Sequence, residues 1–469
     1  MTRDASIERA SAYFDNGGFQ SDLGGLVAFK TESQNQSAQA KEECYRYLND
    51  AMLPWLQALG VECQIIENPD ADGGPLLIGE RHEDAGLPTV LSYGHGDTVL
   101  GQETMWRSGL APWRLTEDGE RLYGRGTADN KSQHLINIAA LEAVLAERGR
   151  LGFNLRIVIE MSEEVGSPGL AEVFEGNKDK LTADVLIASD GPRLQPDVPT
   201  IFMGSRGCVN FDLIVETHDG AHHSGNWGGL LADPAIILAH ALASITDKRG
   251  QINVPEWRPN SLSDDIRAAL KDLPVAGGDG PEVNENWGEE SLTPAERVFG
   301  WNSFAVLAMV SGVPDAPVNA IAGWARATCQ LRFVVGTDMK DIIPSLRRFL
   351  DAQGFDNVKI VPEVGGSFTA TRLDPSHPWA EFVAQSVRET SGGALHVLPN
   401  LAGSLPNDSF TDILEVPTIW VPHSYRGCSQ HAPDEHVLKP VCRDALRIMA
   451  GLFWDIGEIG QTKKLPMTR

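Results

Sequence analysis

A chain of 469 residues can form one large or two ordinary domains, and 42% hydrophobic with 22% charged residues is a soluble globular composition. Its 64 acidic against 39 basic residues leave a net charge of −25, which argues against nucleic acid or an anionic membrane as partner and leaves carboxylates to hold cations. Cys44, Cys63, Cys208, Cys329, Cys428 and Cys442 are scattered without a C-x-x-C pair, so they read as reduced thiols; no signal-peptide core and no uncharged run of about 18 apolar residues is visible, which makes the cytoplasm the expected location.

The N-terminal stretch, residues 1–18, is mixed in charge and amphipathic. Residues 37–60 carry helical periodicity, with Gly60 as a stop. Strands are expected at "VECQIIE" (61–67), "PLLIG" (75–79) and "TVLSYG" (89–94), then an amphipathic helix over 131–149, then strands at 153–161 and 183–190. This alternation predicts an α/β sheet flanked by helices, whose sites lie at the carboxyl ends of its strands. "GHGD", "SEE" and "SDG" all fall there.

From about Arg206 the pattern changes. A strand over 207–217 leads to a helix near 233–246 and an irregular acidic, Gly/Pro-rich stretch to about 300. Strands at 303–312 and 323–336, a helix over 338–354 and a strand at 357–364 complete a β-α-β-β-α-β order, a ferredoxin-like unit inserted into the first domain. The α/β pattern resumes after about 371, with a helix at 378–392 and a strand at 417–424. The expected division is a catalytic domain over 1–205 and 371–469, with the inserted domain over 206–370.

His95, Asp129, Glu163, Glu164, Asp190 and His431 stand at predicted strand ends or in Gly-rich turns. Singly, each has an ordinary structural role: Asp129 as a helix N-cap, Asp190 as a turn residue, the glutamates as solvated charge, His431 as a loop histidine. Together they suit two divalent cations, which need a shared carboxylate and further nitrogen and oxygen ligands, with room for water. One histidine and one unshared carboxylate per ion, plus a shared aspartate, leave a hydroxide to complete the charge balance. An adjacent unliganded acid could then serve as general base. His95 and Asp97 are two apart in extended chain and share a face, so Asp97 can orient the imidazole.

"GHGDTV", "GRGTADNK", "EEVGS", "SDG", "HHSGNWGG", "GSLP" and "HAPDEH", in this order, resemble the dinuclear metallopeptidases that include carnosinase, cytosolic non-specific dipeptidase, glutamate carboxypeptidases, aminoacylase and acetylornithine deacetylase. "GRGTADNK" and "HHSGNWGG" point to the carnosinase-like dipeptidase branch. The resemblance implies a zinc-peptidase-like catalytic domain with a mixed central sheet, plus an inserted lid that forms a homodimer. It implies His95, Asp129 and Asp190 on one ion, and Asp129, Glu164 and His431 on the other. Glu163 matches the general base acting on a metal-bridging water, and Asp97 the acid that orients His95. His223 matches a lid histidine that reaches the partner subunit's site, with His222 as a neighbouring alternative. Arg332, Gly403 and Ser404 match groups that hold the substrate carboxylate, and Asn319 a polar substrate contact. Zinc is the implied metal, with manganese or cobalt as alternatives.

The activity implied is hydrolysis of an amide bond beside a free carboxylate, of the dipeptidase or carboxypeptidase type, on a small peptide. An N-acyl amino-acid deacylase on the same scaffold is the alternative, and an inactive dimeric binding protein a remote one. Ala402 replaces a glycine usual before "GS", and Ser132 the glycine common after Lys131, so the substrate pocket departs from the branch pattern while the metal residues do not.

Overall fold

The computed structural model describes residues 2–275, 281–363, 367–462 and 465. Its centre is an eight-stranded mixed sheet. Across the sheet the strands are Glu62–Ile66, Leu76–Arg81, Asn154–Glu160, Thr89–His95, Val185–Ala188, Thr418–Trp420, Thr200–Phe202 and His396–Leu398. The four in the middle, from Asn154–Glu160 to Thr418–Trp420, run parallel to one another. The edge pair Glu62–Ile66 and Leu76–Arg81 runs antiparallel. Continuous apolar runs such as Val185–Ala188 belong to strands covered on both faces.

One face is covered by helices Arg3–Asp15, Lys131–Arg148, Pro378–Ser391 and Lys439–Thr462, whose apolar stripes share a core with the sheet. The first and last of these were not expected as helices. Their residues are amphipathic, and docking against helix Lys131–Arg148 supplies what an isolated segment lacks. The opposite face packs a second core that includes Tyr93, Phe174, Phe202 and Trp420. Helix 37–60 is broken by a π-helical turn at Tyr47–Met52, and Gly60 closes it with φ +73°.

The inserted unit is a four-stranded antiparallel sheet in the order Ser303–Ser311, Trp324–Phe333, Gly207–Glu216, Val358–Pro362. Helices Pro234–Ile245 and Ile342–Ala352 share its apolar core. The ferredoxin-like order is therefore present; Val364, the end of the expected last strand, lies outside the described residues, as do 276–280 of the acidic stretch. That stretch is not merely irregular. It contains helices Asp264–Leu270 and Pro294–Phe299, whose Ile266, Leu270, Ala295 and Phe299 pack into the second core of the central sheet.

Candidate metal centre and active site

The carboxyl ends of the parallel strands converge on one cluster. Strand Thr89–His95 ends in His95, with Gly94 and Gly96 on either side. A Cβ on Gly94 would lie 2.4 Å from the His134 side chain, and one on Gly96 2.4 Å from the Tyr47 ring, so close packing around the imidazole requires both glycines. Strand Asn154–Glu160 leads into the turn Glu163–Val165, and Val185–Ala188 into Asp190. Asp129 follows the "GRGTA" turn, and His431 lies in a loop near the C-terminal helix at φ +59°.

Asp129 stands between two histidines. Its Oδ1 is 3.0 Å from His95 Nε2, and its Oδ2 is 3.0 Å from His431 Nε2. Asp190 Oδ2 lies 3.5 Å from His95 Nε2, and Glu164 Oε2 lies 2.9 Å from His431 Nε2. Ligating atoms of His95, Asp129 and Asp190 fall within 4.8 Å of one another, as do those of Asp129, Glu164 and His431. Glu163 Oε2 is 3.9 Å from His95 Nε2 and joins neither group.

The surroundings hold these groups in place. Asp97 Oδ1 is 3.3 Å from His95 Nδ1, which orients the ring so that Nε2 faces the carboxylates. The same carboxylate accepts from the backbone N–H of Glu163 at 3.2 Å and of Glu164 at 3.1 Å. Glu435 accepts from the backbone of Gly126, Ala128 and Asp129 and pairs with buried Arg125 at 2.7 Å, fixing the turn that carries Asp129. Asn130, not Asp129, is the N-cap of the following helix. Gln430 donates to Asp129 Oδ2.

Electrostatics favours cations here. Burial raises Glu163 well above the usual carboxylate range, with Asp190, Glu164 and Asp129 adding repulsion. Burial likewise raises Glu164 to about 7, and Asp190 is raised for the same reason. Burial alone would raise Asp129 and lower His95, but their mutual hydrogen bond and the proximity of His431, Asp190 and Asp97 reverse both shifts. His431 is raised to about 11 by its bonds to Asp129 and Glu164. Asp190 Oδ2 is buried without a hydrogen-bond partner among the described residues. Four carboxylates around two imidazoles, Asp129 and Asp190 buried and Glu163 and Glu164 partly so, with one oxygen unsatisfied, form a nitrogen–oxygen donor set that fits divalent cations.

Residues 91–455 match peptidase family M20/M25/M40. The chain belongs to this family. It is thus a hydrolase of the metallopeptidase kind, and relatives on the carnosinase-like branch are among those found. A cysteinylglycine-S-conjugate dipeptidase of Corynebacterium striatum is 26% identical over 386 residues, covering 81% of each chain. The β-Ala-His dipeptidase of Homo sapiens is 32% identical over 264 residues, or 54% of this chain and 52% of its own length. In fold, human carnosine dipeptidase 1 superposes with a TM-score of 0.77 at 22% identity, over 96% of this chain and 100% of its own. The dipeptidase Dug1p of Saccharomyces cerevisiae gives 0.79 at 20% identity, over 97% and 99%.

A cavity of about 380 Å³ adjoins the cluster, lined by Asp129, Glu163, Asp190 and His431 and also by Arg332, Gly403 and Ser404. Arg332 Nη1 donates to Ser404 Oγ at 3.0 Å, so these two expected substrate contacts touch. His223 and Asn319 are not among the lining residues. They sit together on the inserted unit, where His223 pairs with Ala320 in a short ribbon and Asn319 O accepts from Ser224 N at 2.9 Å. His223 Nδ1 accepts from Gly225 N at 3.1 Å, which leaves Nε2 to carry the proton and donate outward. His222 Nε2 is instead 3.1 Å from Asp219 O.

Sequence reasoning left Glu435, Arg125, Gln430 and Arg206 without roles. Arg206 is buried beneath Ala402, donating from Nε to its carbonyl at 2.7 Å, and burial followed by Arg332 lowers it to about 10. Glu435 and Arg125 lie inside quoted motifs, and a charge embedded in a Gly-rich or ligand-bearing motif is the available signal. Arg206 offers none.

Proposed function

We propose that this protein is a dinuclear metal-dependent dipeptidase, and that the double placement of Asp129 between His95 and His431 is the observation that carries this reading. His95, Asp129 and Asp190 would hold one ion, and Asp129, Glu164 and His431 the second. Bound there, two divalent ions, zinc first, would supply Lewis acidity toward the scissile carbonyl and toward water. Glu163 takes the proton from the attacking water and returns it to the leaving amine, a role suited to a buried carboxyl with a raised pKa. Asp97 keeps His95 in one tautomer and fixes the backbone of the Glu163–Glu164 turn. Arg332 with Ser404 and Gly403 binds the substrate's free carboxylate, a charge-assisted contact that sets the length of substrate admitted. The dipeptidase names of the relatives support this substrate class.

The catalytic domain comprises 1–205 and 371–469 in this reading, and the lid 206–370. The lid's outer strand Ser303–Ser311 is a free sheet edge on which Val306, Leu307 and Met309 are exposed, and Val313, Val318 and Trp324 add to that apolar surface. A free apolar edge of this kind fits a twofold homodimer contact. Across such a dimer His223 would donate from Nε2 to the scissile carbonyl of the partner's site, with Asn319 beside it. Six unpaired cysteines fit a reducing, cytoplasmic setting; among the described residues no helix is long and apolar enough to cross a membrane.

The test is a hydrolysis panel of dipeptides, tripeptides and N-acyl amino acids, run on protein stripped with a chelator and then reloaded with zinc, manganese or cobalt. Dipeptide cleavage lost on stripping and regained on reloading is expected. Cleavage confined to N-acyl amino acids would make the protein a deacylase, and full activity in verified metal-free protein would end the metal reading.

A further inference from the structure

The cavity that reaches the metal-facing cluster and Ser404 also has an apolar lining: Pro192, Leu194, Phe299, Leu398, Leu401 and Leu405. All but Pro192 belong to, or pack against, the second hydrophobic core, so this lining is the edge of a packed layer and not a mobile surface. Leu401 and Leu405 flank Ser404 in sequence, and Ser404 is bonded to Arg332. A carboxylate carbon is one bond from the Cα of its own residue. The side chain of the residue whose carboxylate is held by Arg332 and Ser404 therefore starts beside this apolar wall.

Phe299 comes from a different part of the chain, the excursion between the lid's first helix and its strand Ser303–Ser311. A ferredoxin-like unit does not need that excursion. It is nonetheless fastened to the catalytic domain. Arg372 Nη1 donates to Ser261 O at 3.2 Å, and Arg426 Nη1 donates to Val275 O at 3.1 Å. Thr293 and Glu296 form a capping box at the start of the short helix that ends in Phe299, and Glu296 also pairs with Arg267. Phe299 is 1% exposed.

We infer that the cavity selects an apolar side chain of leucine or phenylalanine size on the substrate residue bearing the free carboxylate, with Phe299 as a specificity-determining residue. This rests on the dipeptidase reading above. Arg426 also lines the cavity, and it makes an acidic side chain the principal competitor. Its bond to Val275 O already occupies part of the guanidinium.

The experiment measures kcat/KM of the metal-loaded full chain on Ala-Gly, Ala-Leu, Ala-Phe, Ala-Asp and Ala-Lys. Ala-Leu or Ala-Phe should exceed Ala-Gly by about 10-fold or more, since even one methylene in such a pocket discriminates by about 10-fold or more. Ala-Asp and Ala-Lys should fall below Ala-Gly. Phe299→Ala should cut the ratio of the preferred substrate to Ala-Gly by about 5-fold or more, a ratio unaffected by loss of active protein. If Phe299→Ala does not fold, Leu194→Ala gives the same readout from a less buried part of the wall. Efficient cleavage with no preference over Ala-Gly, with Ala-Asp preferred, or with the ratio unchanged in the variants overturns the inference alone. Cleavage of none of the five overturns the dipeptidase reading and this inference with it.

Discussion

Asp129 and His223 occupy opposite extremes among the proposed active-site residues. Asp129 is buried, each of its carboxylate oxygens faces a histidine, and its backbone is held by Glu435. His223 is exposed on a two-residue ribbon, with one ring nitrogen accepting from Gly225 N. The contrast separates what one chain completes by itself from what it leaves open. The cluster at the sheet's carboxyl ends has its acids, its orienting groups and its fixed backbone within a single chain. His223, on the inserted unit, is not among the residues that line its own subunit's cavity.

The largest expected effect lies on the completed side. Glu163→Gln keeps shape and removes the proton acceptor, so turnover should fall by about 10²- to 10⁴-fold while metal content and folding stay intact. Near-normal turnover would move the base elsewhere. On the open side, His223→Ala should cost about 10²- to 10³-fold in turnover, as loss of an oxyanion donor does. Mixing His223→Ala chains with Glu163→Gln chains sharpens the contrast. Random exchange makes half the dimers mixed, each with one intact site of two, so roughly a quarter of wild-type activity should return. Verified mixed dimers as inactive as their parents would show that His223 does not serve the partner. The smallest effect is expected at Asp97, which touches no proposed ligand atom directly except through His95 and the backbone. Asp97→Asn should lower metal affinity or activity by about 10- to 100-fold, seen in a competitive chelator titration. An unchanged titration would make Asp97 a purely structural residue.

The two regions also differed in how much the sequence disclosed. The convergence of these side chains was legible because strand ends and Gly-rich turns gather chemistry at one edge of a parallel sheet, and His95 with Asp97 obeyed a two-residue period. The family resemblance then ordered them. The lid's β-α-β-β-α-β order was equally readable. Its excursion was not: Ile266, Leu270 and Phe299 lie in a Gly/Pro-rich acidic stretch, and their burial depends on a core made by strands and turns more than sixty residues away in either direction. The terminal helices were missed for the same reason, since docking stabilises them more than local pattern does. Arg206 and Glu435 are buried charges satisfied by distant backbone, which no periodicity reports.

Metal stoichiometry tests the central claim most directly. Elemental analysis of the dialysed, reloaded protein should find about two divalent ions per chain in the wild type and in Glu163→Gln, about one in His95→Ala or His431→Ala, and fewer than one in Asp129→Ala. Two ions retained by folded Asp129→Ala, or a single ion in the wild type unaffected by loss of His431, would contradict a centre bridged by Asp129.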